Sequence, residues 1–180
     1  MASFANSIHH LRLLLTVVAL IHTEKLISAN EDIIECECHN TETPEVCMEC
    51  LKSNPTASAS NELGIATIIT NCVSNHSKHL ATKMSVLVHR VGDENLKSVF
   101  QACSQGYYLA CVDLSMVVSK LKSGDYDKAG HFVLTALSFQ LTCITNFQMN
   151  QTWHLPESIA YEMKVYEDLS EAAMRIIDRL

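Results

Sequence analysis

Between residues 60 and 180, apolar side chains recur at steps of three and four, interrupted by only three breaks. That period places one apolar stripe along a single face of each segment, as in a helix that buries one side. Leu63, Ala66, Ile69, Val73, Leu80 and Met84 form the first stripe, and Leu96, Cys103, Tyr107, Ala110, Leu114 and Val117 the second. Ala129, Phe132, Ala136, Phe139, Cys143 and Phe147 form the third, and Ile159, Met163, Tyr166, Leu169, Ala173 and Ile177 the fourth. The first break has Gly92 as a helix stop and Asp93 as the cap of the next helix. Gly124 and Asp125 make the second, and Pro156 closes the third at a position suited to a first helical turn. Short connections force neighbouring helices antiparallel, so the sequence predicts an all-α, up-down-up-down four-helix bundle over residues 60–180. Five glycines and three prolines are too few turn-formers for a sandwich or barrel of this length.

Residues 1–29 read as a signal peptide. His9, His10 and Arg12 give a weakly basic start, residues 11–21 are an almost unbroken apolar run, and Ala29 offers a small residue at the cleavage edge. The run is shorter than the ~20 apolar residues that a membrane helix needs. The mature part, residues 30–180, is then a single secreted domain with no membrane span, its residues 30–55 forming a helical hairpin arm before the bundle. Net charge for the full chain is −7 and becomes slightly more negative once the leader is removed. An acidic surface without a basic stripe argues against nucleic acid as a partner.

All eight cysteines lie beyond the leader, where an oxidising compartment favours disulfides. The bundle register can be checked against them. If the chain turns near Gly92, residue numbers summing to about 185 share a level, which sets Cys72 beside position 113, close to Cys111. A turn near Gly124 sets Cys103 next to Cys143 in the same way. Cys36 and Cys50 bracket the Cys38–Cys47 loop and could form a second rung of a hairpin there. Either of these further pairs, Cys72 with Cys111 or Cys36 with Cys50, could instead be free thiols. Asn75-His-Ser77 and Asn150-Gln-Thr152 are N-glycan acceptor triplets, meaningful only in a secreted chain.

Chemistry of other kinds is weakly represented. Four thiolates at Cys36, Cys38, Cys47 and Cys50 would suit zinc, but the spacing is unusual for a finger and oxidation competes. His76 and His79 lie one turn apart and read as polar-face histidines before they read as metal ligands. Asp125 and Asp127 read as a cap and its solvated neighbour, and Trp153 as a lid over the bundle end. No nucleophile elbow, phosphate-cradling loop or His-Glu-x-x-His is present. No catalytic residue, metal or cofactor is therefore expected.

The ordered set Cys38-x-x-Thr41-x-x-Pro44-x-x-Cys47, Leu51-x-Ser53-x-Pro55, Ala102-Cys103-x-x-x-Tyr107-x-x-Ala110, Leu121-x-Ser123-Gly124-Asp125-Tyr126, Ala136-Leu137 and Thr142-Cys143-x-x-x-Phe147 resembles the plant invertase and pectin methylesterase inhibitors. The resemblance covers the whole mature chain. It implies a four-helix bundle with an N-terminal helical hairpin, disulfides Cys38–Cys47 and Cys103–Cys143, and residence in the cell wall or another secretory compartment such as the vacuole. It also implies inhibition of a carbohydrate-processing enzyme by complex formation, first pectin methylesterase and alternatively invertase, with no catalysis of its own. A monomer is expected, with a dimer open if the arm leaves its own bundle, and a secreted helical ligand carrier or structural protein is the alternative of a different class. Invertase inhibitors of this family commonly carry Pro-Lys-Phe after the Gly-Asp of the turn between the second and third bundle helices, where it enters the invertase cleft. Here Tyr126-Asp127-Lys128 stands in that place. The Ser-Gly-Asp-Tyr turn is closer to members that inhibit pectin methylesterase, which implies a contact role for Thr142, Gln105, Tyr126 and Asp127. Gln105 and Thr145 stand where that group often has acidic residues.

Overall fold

The computed structural model describes residue 12 and residues 14–16, 34–36, 38–39, 41–150 and 152–180. The expected leader and its Ala29 edge lie almost wholly outside the described residues, as does most of the segment before Cys38. The described chain is all-α. After helical residues at 34–36 and 38–39 come α1 (Pro44–Ser53), a 3-10 turn (Ala57–Ala59), α2 (Glu62–Val88), α3 (Glu94–Ser123), α4 (Tyr126–Gln148) and α5 (Glu157–Ile177). The helices α2 to α5 form an antiparallel four-helix bundle in which α2 packs on α3 and α5, and α4 packs on α3 and α5. The arm carrying α1 rests on α2 and α5. Among the described residues no helix is long and apolar enough to cross a membrane.

Local signals set the helix ends. Asp93 Oδ1 accepts from the backbone N–H groups of Asn95 and Leu96 at 2.8 and 3.1 Å, satisfying two otherwise orphaned donors of α3. Asn61 caps α2 in the same way through Gly64 at 3.0 Å. At the end of α3 the backbone must turn left-handed, and Gly124 does so at φ 74° without a Cβ penalty. Gly92 is not the stop expected of it. The helix α2 ends at Val88 with His89 as its cap, and Gly92 has no positive φ.

The core follows the expected stripes most closely on α3, where Cys103, Tyr107, Ala110, Leu114, Val117 and Leu121 are all buried. On α4 the buried face is rotated, with Val133 and Gln140 inside and Phe132 and Phe139 only partly covered. The buried face of α5 is wider than one stripe, because the arm covers a second side of it. Val165, Asp168, Ser170 and Ala172 are buried there as well.

Three disulfides brace this arrangement: Cys38–Cys47, Cys50–Cys72 and Cys103–Cys143. The middle one corrects the sequence reading twice. Cys50 lies on the buried face of α1 and bonds Cys72, so Cys72 is not paired with Cys111, nor Cys36 with Cys50. The axial level of Cys72 and Cys111 was a sound inference, but level ignores direction around the helix. Cys72 points to the arm, whereas the Cys111 thiol reaches Ser74 O at 3.7 Å, two residues and about 200° further round α2. Cys36 is exposed.

A second device seats the arm. Thr43 precedes α1 as its cap residue, yet its hydroxyl does not cap the helix; it donates to the buried Asp168 carboxylate at 2.8 Å. Lys164 stands 3.3 Å from Asp168 and 3.3 Å from Glu42 of the arm, closing a bridge from α5 to the arm. Burial opposes the charge on Lys164, but Asp168, Glu167 and Glu42 together outweigh it and hold the ammonium above its ordinary pKa.

Candidate functional site

The outer face of α3 is where the bundle departs from a simple inside–outside pattern. With Cys103, Tyr107, Ala110 and Leu114 turned inward, Gln105, Tyr108, Leu109, Val112 and Met116 fall on the outer side. Four of these are apolar and exposed: Tyr108 is 66% accessible, Val112 49%, Leu109 41% and Met116 38%. Their steps of three and four make one stripe beginning at Gln105. An isolated exposed apolar residue is ordinary, but a continuous stripe on one helix is the mark of a contact surface.

Beside this stripe runs a groove of about 770 Å³ between α2 and α3, lined among others by Thr82, Ser85, His89, Gln101, Gln105 and Tyr108. The Ser104 hydroxyl, on the groove wall, is engaged with Ala81 O at 2.8 Å. Hydroxyls, side-chain amides, the His89 imidazole and the Tyr108 ring therefore surround the exposed end of the stripe.

Thr142 lies on the neighbouring helix. The Cys103–Cys143 bridge, with Cα atoms 5.0 Å apart, fixes α3 against α4 and puts Gln105 and Thr142 at the same level of the bundle. Both are exposed, and the Thr142 hydroxyl is held by Ser138 O at 3.0 Å. Thr145, one turn on, is likewise exposed.

Tyr126 and Asp127 are not brought to this place. They begin α4, 16 residues before Thr142 and so about 24 Å from it along the helix axis. There they line a separate crevice with Gly130, His131, Met174 and Ile177 at the end of α5. The preceding Asp125 is bound by Lys128 at 2.8 Å, with Lys120 at 3.9 Å, and the Lys128 hydrogen bond holds its carboxyl below the usual range. The turn between α3 and α4 is thus tied down by its own charges, and Tyr126 is half-buried against the bundle.

Among the described residues no group of three or more His, Cys, Asp and Glu side chains is arranged to hold a metal ion. Three of the four sulfurs that a zinc site would need are in disulfides. His76 and His79 approach edge-on at 6.5 Å. Trp153 is partly buried against the core beside the start of α5.

Over residues 32–176 the chain matches the sequence pattern described as "Plant invertase/pectin methylesterase inhibitor". The chain belongs to this family. Its members are inhibitor proteins and not enzymes, so the site sought is a protein-binding face. Among curated relatives, the "Cell wall / vacuolar inhibitor of fructosidase 2" of Arabidopsis thaliana is 30% identical over 175 residues, covering 93% of this chain and 95% of that protein. The "Pectinesterase inhibitor" of Actinidia deliciosa is 23% identical over 148 residues, covering 81% of this chain and 80% of that one. Among solved structures, a mutant form of an Arabidopsis pectin methylesterase inhibitor superposes with a TM-score of 0.67 at 20% identity, over 79% of this chain and 93% of that chain. Another crystal structure, of a pectin methylesterase inhibitor from Arabidopsis thaliana, gives 0.61 at 20% identity, over 82% of this chain and 95% of that chain. At that identity the superpositions establish the fold, and the family members named bind different enzymes.

The sequence carries a signal for Tyr108, Leu109, Val112 and Met116. Once Tyr107, Ala110, Leu114 and Val117 define the inner stripe of α3, apolar residues at the complementary positions have no core to enter.

Proposed function

We propose that the protein is secreted and inhibits a plant pectin methylesterase by laying the outer face of α3 and the adjoining part of α4 over its substrate groove. The observation that carries this reading is the exposed stripe from Gln105 to Met116, level with Thr142 at the Cys103–Cys143 bridge. Tyr108, Leu109, Val112 and Met116 would supply the apolar centre of the contact, and Gln105 and Thr142 hydrogen bonds at its edge. A disulfide-braced helix face loses little conformational freedom on binding, so little affinity is spent on ordering it. Occlusion needs no shifted pKa and no cofactor.

A turn that enters a cleft must project from the bundle. The Asp125–Lys128 turn does the opposite, being held by Lys120 and Lys128 and folded against α5. This favours a flat-face contact over insertion. The 30% identity to a fructosidase inhibitor supports the second reading, in which the same face meets an invertase.

Titration of purified pectin methylesterase and acid invertase, side by side, with the oxidised protein tests both. The expected result is a break near one equivalent with the esterase. Tyr108→Ala should then weaken inhibition about tenfold or more, the scale of a central aromatic anchor, whereas Asp127→Ala should leave it unchanged. A break with invertase alone, weakened by Tyr108→Ala, would replace the first reading by the second.

A further inference from the structure

We propose that Asn150, and not Asn75, is the asparagine that carries an N-linked glycan; this rests on the reading that the chain is secreted. Both triplets satisfy the acceptor pattern in sequence, and the fold separates them.

The acceptor pattern requires the hydroxyl of the third residue to be available together with the amide of the first. At Asn150 the two stand side by side. Its Oδ1 accepts from the Thr152 hydroxyl at 2.8 Å and from the Thr152 N–H at 3.0 Å, so both donors withdraw electrons from one amide. Donation to the carbonyl oxygen makes the Nδ2 protons more acidic, which eases their loss during transfer. Asn150 follows the end of α4, in the connection to α5; its side chain is half-buried, with Met149 and Thr152 exposed beside it. It is therefore the hydroxyl partner, rather than exposure of the asparagine, that separates it from the exposed Asn75.

At Asn75 the same residues are pulled apart. Asn75 sits in the middle of α2, where positions i and i+2 lie on nearly opposite sides of the helix. Ser77 is fully buried, and its hydroxyl donates across the bundle to Tyr107 O at 2.7 Å. Asn75 also rims a crevice with Val46, Glu49, Cys50 and Ser53 of α1, so a glycan there would compete with the arm that Cys50–Cys72 seats. Helix formation takes about a microsecond for a 20-residue segment. The separation within α2 can therefore be in place before α3 arrives to engage Ser77.

The reaction uses an oligosaccharide carried on a polyprenyl diphosphate, supplied by the membrane-bound transferase of the secretory compartment. Asn150 Nδ2 attacks sugar C1, and an N–C bond forms as the C1–O bond breaks. The diphosphate leaves with that electron pair, and the amide proton passes to a base of the transferase. The product places a glycan next to Met149, which is 80% exposed, and about 12 Å beyond Thr142 along the axis of α4. It would bound the enzyme contact at that end of the bundle.

The test is expression of the full chain in a eukaryotic secretory host, alone and behind a leader of proven efficiency, followed by enzymatic deglycosylation in heavy-oxygen water and peptide mass spectrometry. The expected result is heavy-oxygen label at position 150 with little at 75. Asn150→Gln should abolish the mobility shift on deglycosylation, and Asn75→Gln should keep it. Label mainly at 75, a shift surviving in Asn150→Gln, or secreted protein without glycan at either site overturns the proposal. Failure of the native leader alone, with the second leader delivering protein labelled at 150, overturns the secretion reading and leaves the glycan assignment standing.

Discussion

Buried polar side chains decide the fine structure of the core. Tyr107 gives its hydroxyl to Gln140 at 3.1 Å and meets the Tyr166 ring edge-on at 5.6 Å. Among the described residues the Tyr166 hydroxyl is buried without a hydrogen-bond partner, and the Ser170 hydroxyl donates to the Tyr166 carbonyl at 2.7 Å. An unsatisfied buried hydroxyl costs about 1–3 kcal/mol. Tyr166→Phe should therefore leave stability unchanged or raise it by about 1 kcal/mol, read as a shift in urea midpoint at constant slope. A loss above that size would mean that the hydroxyl is satisfied. His76 is a second case. Burial lowers its pKa most, opposed by the Glu162 carboxylate and assisted by His79 and Lys83. One Glu162 oxygen is taken by Lys83, and the other is buried without a partner among the described residues. The folded His76 binds its proton less readily than the unfolded one, so its share of stability is present above pH 6.5 and is lost as pH falls towards the folded pKa. Stability of the wild type should drop faster than that of His76→Gln between pH 7.5 and pH 5, and parallel curves would refute the assignment.

Elements are tied by links of long span in sequence. Cys50–Cys72 closes 22 residues and anchors α1 to α2, and Cys103–Cys143 closes 40 residues and anchors α3 to α4. On the loop-entropy account these contribute about 3 and about 4 kcal/mol. The Cys50→Ser/Cys72→Ser double variant should lose about 3 kcal/mol and expose the arm to limited proteolysis while the bundle remains folded. Cys111→Ser should stay within about 0.5 kcal/mol of wild type, because only a weak contact to Ser74 O is altered. An equal loss in both variants would return Cys111 to the pairing. The Thr43–Asp168 bond, with Lys164 between Asp168 and Glu42, is the non-covalent counterpart of this anchor. Asp168→Ala should cost about 1–3 kcal/mol by orphaning the buried Thr43 hydroxyl, measured by thermal melting.

For the whole molecule, helix count, order and antiparallel register were legible in the chain, because a 3.6-residue period with short capped breaks admits few arrangements. The resemblance to the inhibitor family was legible too, through motifs spread from Cys38 to Phe147. Direction around each helix axis was not. The Cys72 pairing, the rotation that puts Gln140 rather than Phe139 inside α4, and the burial of Asp168 under the arm all depend on which neighbour covers which side. The same holds for the candidate site, where Gln105 and Thr142 come to one level and Tyr126 and Asp127 to another. Periodicity is a property of one helix at a time and fixes which residues share a face. Which faces meet, and which stripe is left for a partner, depends on contacts between segments far apart in sequence, and only packing in three dimensions decides them.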